Sequence, residues 1–259
     1  MIEKTIFFIG KKTLELLNTL GDFFIFHVKI FFLIFKPPFR LKNLLEQLYF
    51  IGYGSLGVIF LTSFFTGLVE AVQLYNGFHK FGVEDFMGYT IFISIVKELG
   101  PVFAALMVVS RGISAYAAEL GSMRVTEQID ALDVMAVDSR HYLIVPRILA
   151  TTIAMPMLIL FFDAVANFSA YFISTASLDV NGYKYIDNIR QFGELSDINQ
   201  SIVKGIVFGY IISAIGTYIG YFTKGGAKGV GQSTTKAVVI SSIAVFMSDY
   251  IISTFYLVF

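Results

Sequence analysis

The sequence predicts an all-α integral membrane protein, on the basis of its composition and of five long apolar runs. Hydrophobic residues make up 56% of the 259-residue chain and charged residues only 15%, against roughly 25% charged residues in soluble domains. A soluble protein of this size would expose much of that apolar surface and aggregate. Lys plus Arg and Asp plus Glu each total 19, so the basic excess of a nucleic-acid binder is absent. The chain has no cysteine, which excludes disulfides, thiol chemistry and cysteine-ligated metal.

The first apolar stretch, residues 23–35, is predicted to be a helix that lies in the membrane interface. It contains His27 and Lys29 and stops at Lys36-Pro37-Pro38, so it is short for a span and its polar side chains can reach the head groups. A sixth span that starts near Leu20 is the alternative. No small-residue cleavage site follows the stretch, which disfavours a removed signal peptide.

The five longer runs are predicted to be transmembrane helices. They are apolar on both faces and have about the 20 residues that a spanning helix needs. The strands of a membrane β-barrel would instead alternate between apolar and polar residues. No linker or repeat divides them, so we expect one membrane domain over 49–259 after an N-terminal interfacial region over 1–48. The predicted spans are residues 49–71, 86–110, 148–174, 205–223 and 237–259.

Two adjacent charges interrupt the second span. Lys97 and Glu98 lie in its middle, followed by Pro101, which can kink the helix. Charges in a membrane usually face a protein interior or a cavity and mark function. We expect Lys97 and Glu98 to border a substrate cavity, with a structural ion pair as the alternative. Asp163, in the third span, is instead expected to stabilise helix packing with its i+4 neighbour Asn167.

The loop between spans two and three contains a predicted amphipathic helix over 118–135. Val125, Ile129, Leu132 and Ala136 form one apolar stripe at helical spacing, and acidic residues lie on another face. Such a helix can dock into a groove on a partner or pack on the protein's own ends. The acidic face disfavours docking on anionic lipid.

Three further features give no support for catalysis or metal binding. The glycine-rich segment 225–234 has no Gly-Lys-Ser/Thr, so it is predicted to be a flexible cytoplasmic turn and not a phosphate cradle. The three histidines are widely separated. Asp163 and Asp249 lack the surrounding motif of an intramembrane protease.

Basic residues are distributed unevenly between the two sides of the membrane. The N-terminal region and the loops after spans two and four hold 14 of the 19 Lys and Arg, and Lys97 lies within a span. The positive-inside rule therefore predicts a cytoplasmic N-terminus and a periplasmic C-terminus. The four basic residues assigned to the outer side are Lys80, Lys184, Arg190 and Lys204.

Two ordered sets of motifs resemble the MlaE family of ABC-transporter permeases, over roughly residues 45–255. The first set comprises Lys97-Glu98-Leu99-Gly100-Pro101-Val102, Ala104-Ala105-Leu106, Arg111, the run from Ala117 to Leu132, and Pro146-Arg147. The second set comprises Gly229-Val230-Gly231, the run from Thr234 to Val239, Ser241-Ser242, and Asp249.

The resemblance implies a homodimer in the inner membrane that moves phospholipid or a related lipid between membranes. Its implied partners are a cytoplasmic ABC ATPase, which holds ATP and Mg, an MCE-domain protein outside, and a small cytoplasmic regulator. The chain itself would be a transport subunit with no cofactor and no enzyme activity. A proton-coupled secondary carrier that uses Glu98, Asp163 and Asp249 is the alternative, although it would show inverted repeats or broken helices.

The resemblance also assigns roles to residues. The 118–135 helix becomes the coupling helix, with Glu119, Arg124, Glu127, Gln128, Asp130 and Asp133 meeting the ATPase. The expected substrate path comprises Lys97, Glu98, Tyr75, Phe78, Phe81 and Asp249. Its three aromatic residues could equally form an interfacial anchoring belt. Family members often carry Arg at the position of Lys97, and Lys cannot bind phosphate bidentately, which weakens the expectation of phosphate recognition there.

Overall fold

The computed structural model describes residues 2–258, with side chains described from residue 10 onward except at positions 15 and 16. Within that part every regular element is a helix, as the sequence predicted. In chain order the elements are α1 (Ile2–Ile34), α2 (Leu41–Phe81), α3 (Glu84–Val125), α4 (Gln128–Val134), α5 (Arg140–Ala176), α6 (Gly182–Phe192), α7 (Leu195–Tyr221) and α8 (Gly226–Val258).

Six of the described helices are long and apolar enough to cross a membrane, one more than the five predicted spans. The additional candidate is α1, which continues far beyond the predicted stretch 23–35 because good helix formers precede that stretch. Its described contacts extend from the end of α7 to the middle of that helix, where the Tyr210 ring lies 6.4 Å from the His27 ring. Phe23 and Phe26 pack on Tyr218 near the end of α7, and Ile30 joins an apolar cluster with Leu143.

The five predicted spans correspond to α2, α3, α5, α7 and α8, and each begins earlier than predicted. Hydropathy marks only the apolar part of a helix, whereas capping and helix propensity extend it. At α7, for example, the Glu194 and Asp197 side chains each accept a hydrogen bond from the other residue's backbone N–H. The predicted domain boundary between residues 48 and 49 falls inside the continuous helix α2.

Close packing of α7 depends on two pairs of glycines spaced four residues apart. A Cβ built on Gly205 would lie 2.8 Å from the Pro156 Cα, and one on Gly209 would lie 2.8 Å from the Thr151 carbonyl oxygen, both in α5. Gly216 and Gly220 meet α3 in the same way. Small residues at this spacing allow helix backbones to approach closely in membranes, so α7 occupies the centre of the bundle.

The two ends of the bundle hold different connections. The basic end holds the connections 35–40, 126–139 and 222–225, and the far end holds 82–83 and 177–194. At the basic end one apolar cluster joins five helices. Its buried members are Phe26, Ile30, Leu120, Ile129, Leu143, Ile144, Val145, Ile148 and Tyr221.

Two connections differ from the sequence prediction. The segment 225–234 is not a flexible turn, because the turn ends at Gly225 and α8 begins at Gly226. Gly225 and Gly226 have φ values of 90° and 66°, which glycine adopts readily. At the far end, the unpredicted helix α6 is capped by the preceding Asn181, whose side chain accepts hydrogen bonds from two backbone N–H groups. It is held to α3 by an ion pair of 2.7 Å between Lys184 and Asp85.

Candidate functional site

The candidate site is centred on Lys204 of α7, whose side chain is fully buried. Its Nζ lies 2.9 Å from Glu98 Oε2 of α3 and 2.7 Å from Asp249 Oδ1 of α8. One ammonium group therefore joins three candidate membrane helices. The prediction that Lys204 lies in an outer loop is wrong, because α7 begins well before the apolar run at Gly205.

The backbone of α3 supplies a third partner for Lys204, and Pro101 explains why. Lys204 Nζ donates a hydrogen bond of 2.6 Å to the carbonyl oxygen of Lys97. In an α-helix that carbonyl would accept from the N–H of residue 101, which proline lacks. The segment Ile95–Leu99 is also π-helical, a wide turn that is frequent at functional sites. The Lys204 ammonium thus replaces a missing backbone donor.

Lys97 and Glu98 have separate partners. Lys97 Nζ lies 2.7 Å from Asp197 Oδ1 at the start of α7, and Ser253 Oγ donates to Glu98 Oε1 at 2.9 Å. Adjacent helix residues point about 100° apart, so the two charges do not pair with each other. Lys97 reaches the start of α7, whereas Glu98 lies between Lys204 of α7 and Ser253 of α8. We call the set Lys97, Glu98, Asp197, Lys204, Asp249 and Ser253 the charge network.

A buried carboxylate lies beside this network. Asp163 of α5 accepts a hydrogen bond of 3.0 Å from Ser201 Oγ through its Oδ2. Its Oδ1 has no hydrogen-bond partner among the described residues and contacts Gly100, where a Cβ would overlap it. The predicted partner Asn167 donates to the backbone carbonyl of Asp163, not to its carboxylate. The i+4 spacing therefore predicted which two residues interact, but not which atoms form the hydrogen bond.

The charge network is closed on the α7 side and open on the α3 side. The Lys204 and Asp197 side chains are 0% and 4% exposed, whereas those of Glu98 and Lys97 are 46% and 32% exposed. A charged group on a membrane helix that faced lipid would be costly. The exposed face of Glu98 and Lys97 therefore requires a water-filled cavity or a covering protein surface.

The three predicted path aromatics do not join the charge network. Tyr75 and Phe78 are half-buried and pack against the apolar core, and Phe81 is 80% exposed. The Tyr75 ring stacks on His79 at a centroid distance of 5.0 Å. Between the described side chains, no hydrogen bond, ion pair or ring contact links these aromatics to the network. Of the predicted path residues, the structure brings together Lys97, Glu98 and Asp249.

The predicted coupling helix over 118–135 is two helices. α3 ends at Val125, and Glu127 adopts a left-handed conformation with φ of 60° before α4 begins. Thr126 promotes this break, because its hydroxyl donates to the Ser122 carbonyl at 2.9 Å. The predicted stripe is consequently divided: Ile129 is buried, whereas Val125 is 37% exposed.

The coupling segment, defined here as residues 119–135, is anchored by its own contacts. Glu119 and Arg147 of α5 form an ion pair of 2.8 Å, and Ile129 inserts into the cluster at the basic end. Val134 and Met135 project outward and are 87% and 64% exposed. This segment presents an apolar tip beside exposed acidic residues.

Among the remaining predicted coupling residues, Arg124 reaches α7, because its guanidinium lies 5.8 Å from the centroid of the Tyr221 ring. Arg124 and Asp130 form an ion pair of 2.6 Å, and Asp133 accepts a hydrogen bond of 3.2 Å from the Ser139 backbone N–H. Glu127 and Gln128 are exposed. Their side chains are therefore accessible to another protein.

Sequence reasoning missed three polar members of this region. Lys204 stands one residue before an apolar run, so a hydropathy boundary placed it outside the membrane. Ser253 follows Asp249 by four residues and so shares its helix face, which is a readable pattern. Asp197 follows Glu194 by three residues, the spacing of a capping box. These patterns mark helix geometry but do not reveal which helices meet.

Comparison with known proteins decides the family. Residues 44–255 match the family described as Permease MlaE. The chain belongs to the MlaE permease family. A probable ABC transporter permease protein of Rickettsia bellii is 43% identical to it over 245 residues, which is 95% of each chain. The predicted resemblance is therefore confirmed, and the protein is a multi-pass ABC transporter permease, a subunit type that implies an ATPase partner.

Two more distant relatives widen the comparison. A probable ABC transporter permease protein of Synechocystis is 36% identical over 225 residues, covering 87% of this chain and 86% of the relative. The Arabidopsis thaliana chloroplast protein named TRIGALACTOSYLDIACYLGLYCEROL 1 is 39% identical over 223 residues, or 86% of this chain and 64% of the relative. This MlaE permease thus has relatives in bacteria and in a plant.

Proposed function

We propose that this MlaE permease moves phospholipid or a related lipid between membranes, powered by a separate ATPase that binds ATP and Mg. It acts as a homodimer in the inner membrane, with an MCE-domain protein on the outer side. The observation that carries the proposal is the half-open charge network between membrane helices. The name of the plant relative refers to a diacylglycerol lipid, which supports a lipid as the substrate class.

The open face of the charge network suits a lipid head group. Lys97 offers a cation to a phosphate and Glu98 offers a carboxylate to an amine, while Lys204, itself paired with Asp249, holds Glu98 in place from behind. Acyl chains would contact the surrounding apolar helix surface. Because Lys97 presents a point charge, it attracts phosphate without fixing its orientation. The aromatic residues Tyr75, Phe78 and Phe81 remain proposed path residues by position on α2 alone.

A second copy of the chain would enclose this face. Along α8 only Gly229, Ala237, Ser241 and Val245 are buried among the described residues. Much of the rest is apolar and exposed, and it adjoins Asp249 of the network. Pairing of two such surfaces would place both half-open networks around one central cavity. This removes the cost of exposing Glu98 and Lys97 to lipid.

The coupling segment provides a route from ATP to the cavity. ATP binding would bring two ATPase copies together and push on Val134 and Met135. Ile129 and the Glu119–Arg147 ion pair would pass the movement to α3 and α5. α3 is one helical run from Glu98 to Val125, about 40 Å at 1.5 Å per residue. A shift at the basic end would therefore reach the charge network.

The same scheme places the basic end in the cytoplasm. The distribution of Lys and Arg supports an interfacial position for α1 over a sixth span, because a spanning α1 would carry the N-terminal lysines to the opposite side of the membrane. The N-terminus would then be cytoplasmic and the C-terminus periplasmic.

A proton-coupled carrier is the second candidate, favoured by one observation. The buried carboxylate of Asp163 has an oxygen without a hydrogen-bond partner among the described residues, as a proton-binding group could. This candidate predicts flux that the chain alone supports and that a pH gradient drives.

The test is gentle purification of the chain from its native membrane, followed by mass spectrometry of the retained lipids and proteins. We expect an ATPase, an MCE-domain protein and phospholipid to co-purify. Reconstitution of that complex should give lipid transfer that depends on ATP hydrolysis. Lipid flux by the chain alone under a pH gradient, without ATP, would instead support the carrier.

A further inference from the structure

A basic cleft lies at the basic end of the bundle, between α1 and the adjoining ends of α7 and α8. Its volume is about 670 Å³. Four cationic side chains from four different segments line it, together with a single acidic side chain, Asp22. The cations are Lys29, Arg140, Lys224 and Lys236.

The four cations have no carboxylate within ion-pair distance among the described side chains. The Arg140 guanidinium lies over the ring of Phe26, 5.7 Å from its centroid, and not against an acid. With Asp22 counted, the lining carries an excess of three positive charges. Clustered cations attract an anion at a surface of low dielectric, so the cleft is suited to a phosphate group.

An apolar groove of about 240 Å³ adjoins this cleft. The two share Thr19, Tyr218 and Lys236 in their linings. The groove continues between α1 and α7 along Leu20 and Ile219. A soluble phosphate compound would leave this groove empty, whereas an acyl chain would fill it and bury apolar surface.

We propose that the cleft and groove together bind one anionic phospholipid of the cytoplasmic leaflet. Its phosphate lies among the four cations, and one acyl chain lies in the groove beside Leu20. The bound lipid joins α1 to α7 and α8, which explains how α1 stays seated on the bundle although most of its surface is exposed.

This lipid site is separate from the charge network. Lys236 in the cleft and Asp249 in the network lie about 20 Å apart along α8, at 1.5 Å per residue. The inference therefore goes beyond the proposed transport function, and only the assignment to the cytoplasmic leaflet rests on the orientation proposed above. A failure of lipid transfer would leave it intact.

Its test is binding of defined lipids to the purified full-length chain in detergent. The probes are dioleoyl phosphatidylglycerol and, as the neutral comparison, dioleoyl phosphatidylcholine, titrated and counted by native mass spectrometry. We expect the anionic lipid to bind at least about tenfold more tightly. Each cation near an anionic lipid contributes about fivefold in affinity, so K29Q/K236Q should weaken binding about 25-fold.

Matched variants distinguish this site from general attraction to basic residues. K42Q/K228Q removes two exposed cations from the same end but outside the cleft and should leave binding unchanged. Leu20→Asn should weaken binding, while Leu17→Asn, at an exposed position outside the groove on the same helix, should not. If K29Q/K236Q lowers the thermal unfolding temperature, the single variant K236Q is used, with an expected loss of about fivefold.

Three results would overturn the proposal. The first is equal affinity for the two lipids, and the second is an equal loss of binding in K42Q/K228Q and K29Q/K236Q. The third is complete displacement of phosphatidylglycerol by millimolar inorganic phosphate, which would assign the cleft to a free anion.

Discussion

The charged side chains of the charge network and those at the basic end of this MlaE permease differ in burial and in the number of helices they join. Lys204 is completely buried and is shared by carboxylates from two other helices. The Arg124 and Asp130 side chains at the basic end are 32% and 55% exposed and belong to consecutive elements. A buried charge is tolerated only while its partners remain, whereas an exposed ion pair contributes little. The basic end is positioned by its apolar cluster and by the ion pair of the buried Arg147 with Glu119, which leaves its other charged groups available to a partner protein.

The largest expected effect follows from removal of Lys204. Lys204→Met leaves Glu98 and Asp249 close together without a cation, and breaking a buried pair in this way costs about 3–5 kcal/mol. We expect a correspondingly lower free energy of unfolding, measured by titration of the detergent-solubilised protein with sodium dodecyl sulfate. The triple variant K204M/E98Q/D249N removes the unpaired charges and should recover much of that stability.

Lys184→Met is the matched control, because it removes a lysine from an ion pair whose side chains are 56% and 45% exposed. It should change stability by less than about 1 kcal/mol. If Lys204→Met lowered the free energy of unfolding by as little as this, the claim that burial makes the Lys204 ion pairs important for stability would be wrong.

The second prediction concerns the apolar anchor of the coupling segment. Ile129 is completely buried. Ile129→Ala should therefore lower the free energy of unfolding by about 2–4 kcal/mol, because it removes buried apolar surface and leaves a cavity. Hydrogen exchange of the α4 amides should rise in parallel. Val134→Ala, at an exposed position five residues later, should change the free energy of unfolding by less than about 0.5 kcal/mol. Equal effects would mean that α4 is not anchored through Ile129.

The third prediction separates anchoring from docking. Val134→Asp adds a charge to the exposed tip of the coupling segment and should leave the stability of the isolated chain within about 0.5 kcal/mol. Burial of that charge in the ATPase interface would be unfavourable, so co-purification of the ATPase should fall at least about tenfold. Glu46→Gln, elsewhere on the basic side, should not affect co-purification. Undiminished ATPase binding in Val134→Asp would place the docking surface elsewhere.

The smallest expected effect is that of the exposed pair. Arg124→Gln should reduce the free energy of unfolding by no more than about 0.5 kcal/mol, and 0.5 M salt should reduce the difference further. A loss of several kcal/mol would show that this pair is desolvated in the assembled protein.

The sequence contained most of the information on helices but little on which helices meet. Five spans were predictable because hydrophobic length is imposed by the bilayer. The position of Lys204 inside the bundle was not predictable. A span boundary drawn from hydropathy ends at a charged residue, and hydropathy does not show that Pro101 leaves the carbonyl oxygen of Lys97 without its usual backbone donor. The break at Glu127 was also missed. Val125 and Ile129 keep an i, i+4 spacing in the sequence, although a turn created by a side-chain hydrogen bond separates them in the structure.

Within the candidate site, residue type was easier to predict than pairing. Lys97, Glu98 and Asp249 were identified because charges in apolar helices are rare and functional. Their partners Asp197 and Ser253 come from other helices, and only tertiary packing brings them together. The aromatic residues Tyr75 and Phe78 illustrate the reverse case, since their interfacial position predicted a lipid contact that the described contacts do not connect to the network.

The most direct test of the central claim, that lipid moves past the open face of the charge network, is ATP-driven lipid transfer by the reconstituted complex with Glu98→Gln. This substitution keeps the side chain's size, removes its charge and replaces one of its two accepting oxygens by an amide donor. Glu70→Gln, on α2 outside the network, is the control. We expect transfer to fall at least about tenfold while dimer and ATPase association and ATP hydrolysis persist. Transfer equal to that of the unaltered protein, with normal assembly, would contradict the account.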